Sequence, residues 1–279
     1  MAIAHRSNAQ REGASAHRNE GIAFEHLLVG EEGTKDNFIL TIVTTEDEYK
    51  TPRHRHNFEQ IRYVLKGEMQ YGPGEIQREG AIAYFCEGVS YQQKGSDGSE
   101  TLLLQFAGPS GQGYMSQRQL RAGARELQAK GTFEDGVFVW DDEHAGKKKQ
   151  DGYEAVWEHV NGKDVKYCNP RYVSPIIMNP DSFDYIQLRG HAGVAQKLLG
   201  RFNERGAEIH MIKMEPGAEY ALAAPERPLV VAVMHGEGAA DGEVYGPLSA
   251  FRVLRKEQVQ LAAEFETELF IIGLPSFDD

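Results

Sequence analysis

Residues Thr51 to Gly67 read TPRHRHNFEQIRYVLKG, and this stretch decides how the rest of the chain is understood. His54 and His56 are two apart. On a β-strand, residues i and i+2 project from the same face, so both imidazoles can address one point. Gln60 follows at an even spacing and joins them if the strand stays in register. Arg62 and Val64 continue that face, and Glu59, Ile61, Tyr63 and Leu65 take the other. A bulge between His56 and Glu59 would exchange Gln60 for Glu59, so parity leaves that choice open.

Outward from this stretch the sequence is strand-rich. Ile22–Val29 and Asn37–Thr45 flank the turn-forming GEEGTKDN. Gln60–Lys66, Glu68–Tyr71, Ala81–Cys86 and Thr101–Phe106 are further short strands, with GPG at 72–74 as a turn. Many short strands separated by turn signals predict a sandwich or barrel. The pattern changes near Gly108. Residues 115–129 place Leu120, Ala124 and Leu127 on one helical face, and Tyr153–Val160 has a second helical spacing. Between them, DDEHAGKKKQ reads as a charged loop. Residues 1–20 are polar and aperiodic and predict a flexible tail carrying His5 and His17.

The last third repeats the first. FEHLLVG at 24–30 matches AQKLLGR at 195–201, ILTIVTT at 39–45 matches IHMIKMEP at 209–216, and TLLLQFAGP matches ELFIIGLP. RYVLKGEMQYG likewise matches VAVMHGEGAADG. Two copies of one β-unit account for this order.

The stretch His54–Gly67 resembles the first motif of the cupin superfamily: H-x-H, a short spacer, Glu, six residues, Gly. His54, His56 and Gly67 match, and Gln60 stands at the Glu position. The second cupin motif finds its frame in GAIAYFCEGVSYQQ at 80–93. Gly80 and Gly88 are in place, Cys86 replaces Pro, and Tyr91 replaces the last His. The resemblance implies an all-β bicupin: two double-stranded β-helix (jelly-roll) barrels with a partly helical connector. The expected organisation is a tail over 1–20, an N-terminal barrel over 21–112, a connector over 113–183 and a C-terminal barrel over 184–279. In the second copy the first three ligand positions fall near Ala223, Pro225 and Leu229, none a metal ligand, so that barrel is expected to be structural.

The resemblance also implies one divalent transition metal (Fe, Mn, Ni, Zn or Cu) at His54, His56 and Gln60. Imidazoles suit these ions. Gln60 for Glu keeps an oxygen donor but removes a charge. A phenol at Tyr91 contacts substrate or a bound water more readily than it ligates. Arg62 on the interior face needs a partner, either an internal carboxylate or a carboxylate or phosphate of the substrate. Gln93 and Gln105 are secondary pocket candidates. Tyr91 and Arg62 are therefore expected to orient a small oxygenated molecule, anionic if it meets Arg62, in dioxygenase, isomerase or lyase chemistry. The alternative is a non-catalytic binding or structural bicupin.

Charge and composition exclude other classes. The formal net charge of −12 argues against nucleic acid or an anionic membrane as partner. No apolar run approaches the ~20 residues of a membrane helix. The two cysteines, Cys86 and Cys168, form no disulfide framework and read as buried fillers. There is no phosphate-binding GxxxxGK[ST] and no GxSxG nucleophile setting. The sequence predicts a cytoplasmic protein, and the cupin resemblance implies a homodimer.

Overall fold

Alternating inward and outward residues close two β-barrels in this chain. The structure, a computed structural model, describes residues 2–14, 20–46, 49–144 and 146–277. His17 and the other residues of 15–19 in the expected tail lie outside them. Two compact units divide the chain: Arg11–Ile177, and Met1–Gln10 together with Met178–Asp279.

In the first unit the strands are β1 (Arg11–Gly13), β2 (Ile22–Val29), β3 (Phe38–Thr45), β4 (Glu59–Lys66), β5 (Glu68–Gly72), β6 (Glu75–Arg78), β7 (Ile82–Phe85), β8 (Lys94–Gly95) and β9 (Glu100–Phe106). They form a sheet ordered β1-β2-β3-β9-β4-β7, extended by β13 (Ile176–Met178), and a smaller sheet ordered β6-β5-β8. The pairs are antiparallel, and β4 sits between β9 and β7 with Arg62 opposite both Leu103 and Ala83. The motif glycines have a conformational reason: Gly67, Gly80 and Gly88 all take positive φ, near +75° to +80°, where a side chain is strained.

The connector belongs to this first unit through Ile177. Helix α1 (Gln117–Leu127) starts at a capping box in which Ser116 and Gln119 satisfy each other's backbone N–H groups. Helix α2 (Gly152–Asn161) starts on Asp151 and stops at Gly162, which is left-handed. The expected charged loop between them is instead a hairpin: β11 (Val137–His144) pairs with β10 (Gly131–Glu134) on one side and β12 (Lys147–Asp151) on the other. Phe138 and Trp140 bury its inner face, and its lysines remain outside. Leu120, Ala124, Leu127, Phe138, Val156 and Trp157 form one apolar cluster with Phe58 and Ile39 of the barrel. The connector is thus welded onto the barrel mouth.

The second unit repeats the strand order. Val194–Arg201, Glu208–Met214, Thr267–Gly273, Leu229–His235 and Ala250–Val253 lie side by side in the order taken by β2, β3, β9, β4 and β7. The counterpart of β4 also bulges at its end, between Val233 and His235, as β4 does between Val64 and Lys66. Its interior is filled. Val194, Ile212, Leu229, Val231, Tyr245 and Leu269 are among its buried apolar residues. The expectation of a tail gives way, over residues 2–8, to a segment held on this unit. Ile3 enters its core, Ala4 bridges Ala250, and Ser249 Oγ lies 3.0 Å from His5 Nδ1.

Candidate functional site

The interior face of β4 carries Gln60, Arg62 and Val64, as parity predicts. Glu59 is on the other face, fully buried, where it accepts a 2.5 Å hydrogen bond from the Tyr84 hydroxyl. Burial, with Glu59 beside it, pushes the Tyr84 phenol far above its ordinary range. The choice between Gln60 and Glu59 therefore falls on Gln60.

His54 and His56 precede β4 and reach the same interior. Their rings are 4.9 Å apart. Tyr91 arrives from 37 residues after His54 by an isolated bridge: His54 N to Tyr91 O at 2.9 Å and Tyr91 N to His54 O at 3.0 Å. Its ring lies 4.5 Å from that of His54. His56 stacks on Phe58 at 4.4 Å and meets the edge of Tyr153, from α2, at 5.2 Å. All five expected site residues, His54, His56, Gln60, Arg62 and Tyr91, are brought together and are less than a tenth exposed. Arg53 and Arg55 alternate outward: Arg53 Nε donates to Ser90 Oγ at 2.9 Å, and Arg55 covers the Tyr167 ring.

One network fixes the polar atoms. Arg62 has only donors, and its Nε and Nη2 reach Gln60 Oε1 at 3.2 and 2.8 Å. The amide oxygen must face the guanidinium. Gln60 Nε2 then faces the other way, donating to His56 Nδ1 and to Tyr91 Oη, both at 2.9 Å. His56 Nδ1 is consequently an acceptor, and the ring carries its proton on Nε2. Tyr91 Oη accepts from Gln60 and, at 2.9 Å, from Arg62 Nη2, which leaves its own proton to donate. His54 Nδ1 donates to the Pro52 carbonyl at 2.8 Å, leaving Nε2 as the acceptor nitrogen. The Arg62 guanidinium also lies over Phe85 and Tyr91, 4.4 and 4.9 Å from the ring centres. Its third nitrogen, Nη1, is buried and has no hydrogen-bond partner among the described residues.

These residues wall a cavity of about 60 Å³, room for about four to six water-sized groups. Its polar end holds His54, His56, Arg62 and Tyr91, with Gln93, Thr101 and Gln105 further along. Ile22, Val43, Leu103 and Leu120 make the rest apolar, and Tyr114 and Tyr153 line it from the connector. Tyr114 donates to Gln105 Oε1 at 3.0 Å, and Tyr153 to Asn57 Oδ1 at 2.7 Å. Thr101 is a residue that strand parity on TLLLQF could have found, since it shares a face with Leu103's neighbours in β4. Tyr114 and Tyr153 carry no such signal. Cys86 is buried on the far side of the sheet, whereas Cys168, expected to be buried, is exposed.

The arrangement does not fit a divalent ion. Among the described residues no group of three or more His, Cys, Asp or Glu side chains converges on a metal position. For His56 to ligate through Nε2, its proton must move to Nδ1, where it meets the Gln60 amide donor. Turning Gln60 over would set its NH2 against Arg62. The Gln60 oxygen already serves the guanidinium, and a buried cation stands beside the donors. A carboxylate at position 60 would accept from both neighbours and remove each conflict.

No family model and no curated protein matches the chain. Solved structures do. A "putative dioxygenase" from Nostoc punctiforme aligns with a TM-score of 0.62 at 9% identity, covering 100% of this chain and 87% of the other. Bacillus subtilis oxalate decarboxylase at pH 4.6 aligns with a TM-score of 0.57 at 13% identity, over 97% and 75%. Another structure of that enzyme, described with Mn(II) centres, aligns with a TM-score of 0.57 at 12% identity, over 99% and 78%.

Proposed function

We propose, for a chain that carries the two-barrel cupin fold, that the N-terminal barrel is a partly enclosed chamber for a small oxygenated molecule and the C-terminal barrel is its scaffold. One observation carries this reading: the two barrels share strand order, yet among the described residues the first has a cavity lined with polar side chains where the interior of the second is packed with apolar ones. A barrel interior that could be filled with Val and Leu, but holds Arg, Tyr, Gln and two His, sacrifices stability for a ligand. Tyr91 and His56 Nε2 are donors to that ligand, and His54 Nε2 is an acceptor. The connector supports the same reading, since it contributes Tyr114, Leu120 and Tyr153 to the chamber lining.

The test copies one barrel into the other. Thr101 pairs with Val64 as Leu269 pairs with Val233, so Thr101→Leu imports the filled interior. Alcohols, amides and carboxylates of two to four carbons, oxalate among them, are screened for a rise in unfolding temperature. At least one class stabilises the natural protein and not Thr101→Leu. An equal response of both proteins to every compound rules the chamber out.

A metal-dependent form of the function has support in the H-x-H pair, in the Pro52 carbonyl that orients His54, and in the Mn(II) centres of oxalate decarboxylase. Bound there, a divalent ion would polarise a ligand oxygen. It requires Gln60 to turn over against Arg62, so we rank it second. Metal analysis of the purified protein, beside a His54→Ala/His56→Ala variant, separates the two forms.

A further inference from the structure

We infer that the chamber takes a short-chain carboxylate anion directly on Arg62, with no divalent metal between them, and that Gln60 is the residue that makes the exchange. This deepens the chamber reading and rests on it.

Arg62 is a permanent cation at 4% exposure. Its polar partners among the described residues are Gln60 Oε1 and Tyr91 Oη, both neutral, and Nη1 has none. A buried guanidinium with no counter-charge and an empty donor is costly, and proteins keep such groups where something else completes them. The second barrel shows that the scaffold does not require it. Arg62 lies opposite Leu103 as Val231 lies opposite Ile271, so the same architectural position is filled by Val231, which is fully buried.

A second orphan points the same way. Thr101 Oγ1 is buried without a partner among the described residues and lines the same cavity. Its counterpart is Leu269, again apolar. Two unsatisfied donors in one cavity call for a ligand rich in acceptors. A carboxylate provides four lone-pair positions and the charge Arg62 lacks. The apolar walls Ile22, Val43 and Leu103 suit a hydrocarbon remainder, which inorganic phosphate lacks. The volume limits that remainder to a few carbons.

Gln60 decides between ion and anion. As an amide, it donates to His56 and Tyr91 and leaves the charge on Arg62 uncompensated. As a carboxylate, it would neutralise Arg62 and accept from His56 Nδ1–H, freeing Nε2 to ligate. One atom therefore separates an anion site from a metal site.

The experiment uses the full chain, expressed with added Mn, Fe and Zn, then assayed for metal and for binding of propionate, butyrate and propionamide. The expected protein holds less than a tenth of an equivalent of any of the three metals. It binds propionate or butyrate at least about thirtyfold more tightly than propionamide, with affinity unchanged by EDTA. Arg62→Met and Gln60→Glu each weaken carboxylate binding at least about tenfold. Gln60→Glu, nearly isosteric and checked for an unchanged circular dichroism spectrum, also retains more metal. Carboxylate binding that EDTA abolishes and Mn or Zn restores overturns the inference. So does propionamide binding as tightly as propionate, although the chamber itself then stands. Failure of every probe to bind sinks both.

Discussion

Replacing Arg62 by Met tests whether its charge is balanced within the protein. The substitution removes two hydrogen bonds to Gln60 Oε1 and one to Tyr91 Oη. Tyr91 keeps its bond from Gln60 Nε2, so only the Gln60 oxygen is stranded, at about 1–3 kcal/mol. The contacts over Phe85 and Tyr91 forfeit about 0.5–2 kcal/mol. Against this, an uncompensated buried charge disappears, a relief of about 3–5 kcal/mol. The sum runs from a net loss of about 2 kcal/mol to a net gain of about 3.5 kcal/mol. Truncating an arginine that had an internal carboxylate would destabilise by about 3–5 kcal/mol. Both tryptophans of the chain, Trp140 and Trp157, sit in the cap of the N-terminal barrel, so indole fluorescence during urea unfolding reports that unit alone. A saturating carboxylate at about 100 times its Kd should add about 2.7 kcal/mol to the natural protein and nothing to Arg62→Met. A loss of 3 kcal/mol or more without ligand, or an equal gain with ligand, refutes the reasoning.

Tyr153→Phe strips the fully buried Asn57 Oδ1 of its donor, and should lower the stability of the N-terminal unit by about 1–3 kcal/mol in the same fluorescence assay. Gly88→Ala places a Cβ 2.2 Å from the Cys168 carbonyl oxygen at a φ of +75°, and a cost of about 2–5 kcal/mol is expected by urea titration. In the C-terminal unit, burial pushes His210 down to about 4 from 6.5. The folded state then binds fewer protons than the unfolded one between those values. Stability is complete above pH 6.5 and falls by about 3 kcal/mol as pH drops through the window. Denaturant unfolding followed by far-ultraviolet circular dichroism at pH 7 and 4.5 should show that slope, and His210→Leu should flatten it. An unchanged slope in the variant would mean that another group carries the pH dependence.

Much of the barrel was legible because strand alternation is a local property. Whatever β4 packs against, residues 60, 62 and 64 leave it on one face. The helices were legible for a related reason: Leu120, Ala124 and Leu127 recur at helical spacing without knowledge of their partner. The hairpin at 137–151 was not. Its charged strands lack an apolar alternation, and only Phe138 and Trp140 meeting α1 and α2 make it a sheet. Residues 2–8 were misread as a tail for the same cause: one isoleucine in a polar segment gives no period, and its burial depends on a barrel some 200 residues away.

The sequence by itself determined a repeated β-unit, glycines where the backbone must turn left-handed, a His54/His56 pair on one face, and Gln60 and Arg62 sharing a face of the next strand, with Glu59 on the opposite one. Only the tertiary structure decided what those residues do. The guanidinium turns the Gln60 amide, the amide sets the His56 tautomer, and Tyr91 and Tyr153 complete the wall from distant segments. Hydrogen-bond direction depends on neighbours brought together by folding, and so a histidine pair that reads as half a metal centre folds into a pocket around an unbalanced cation.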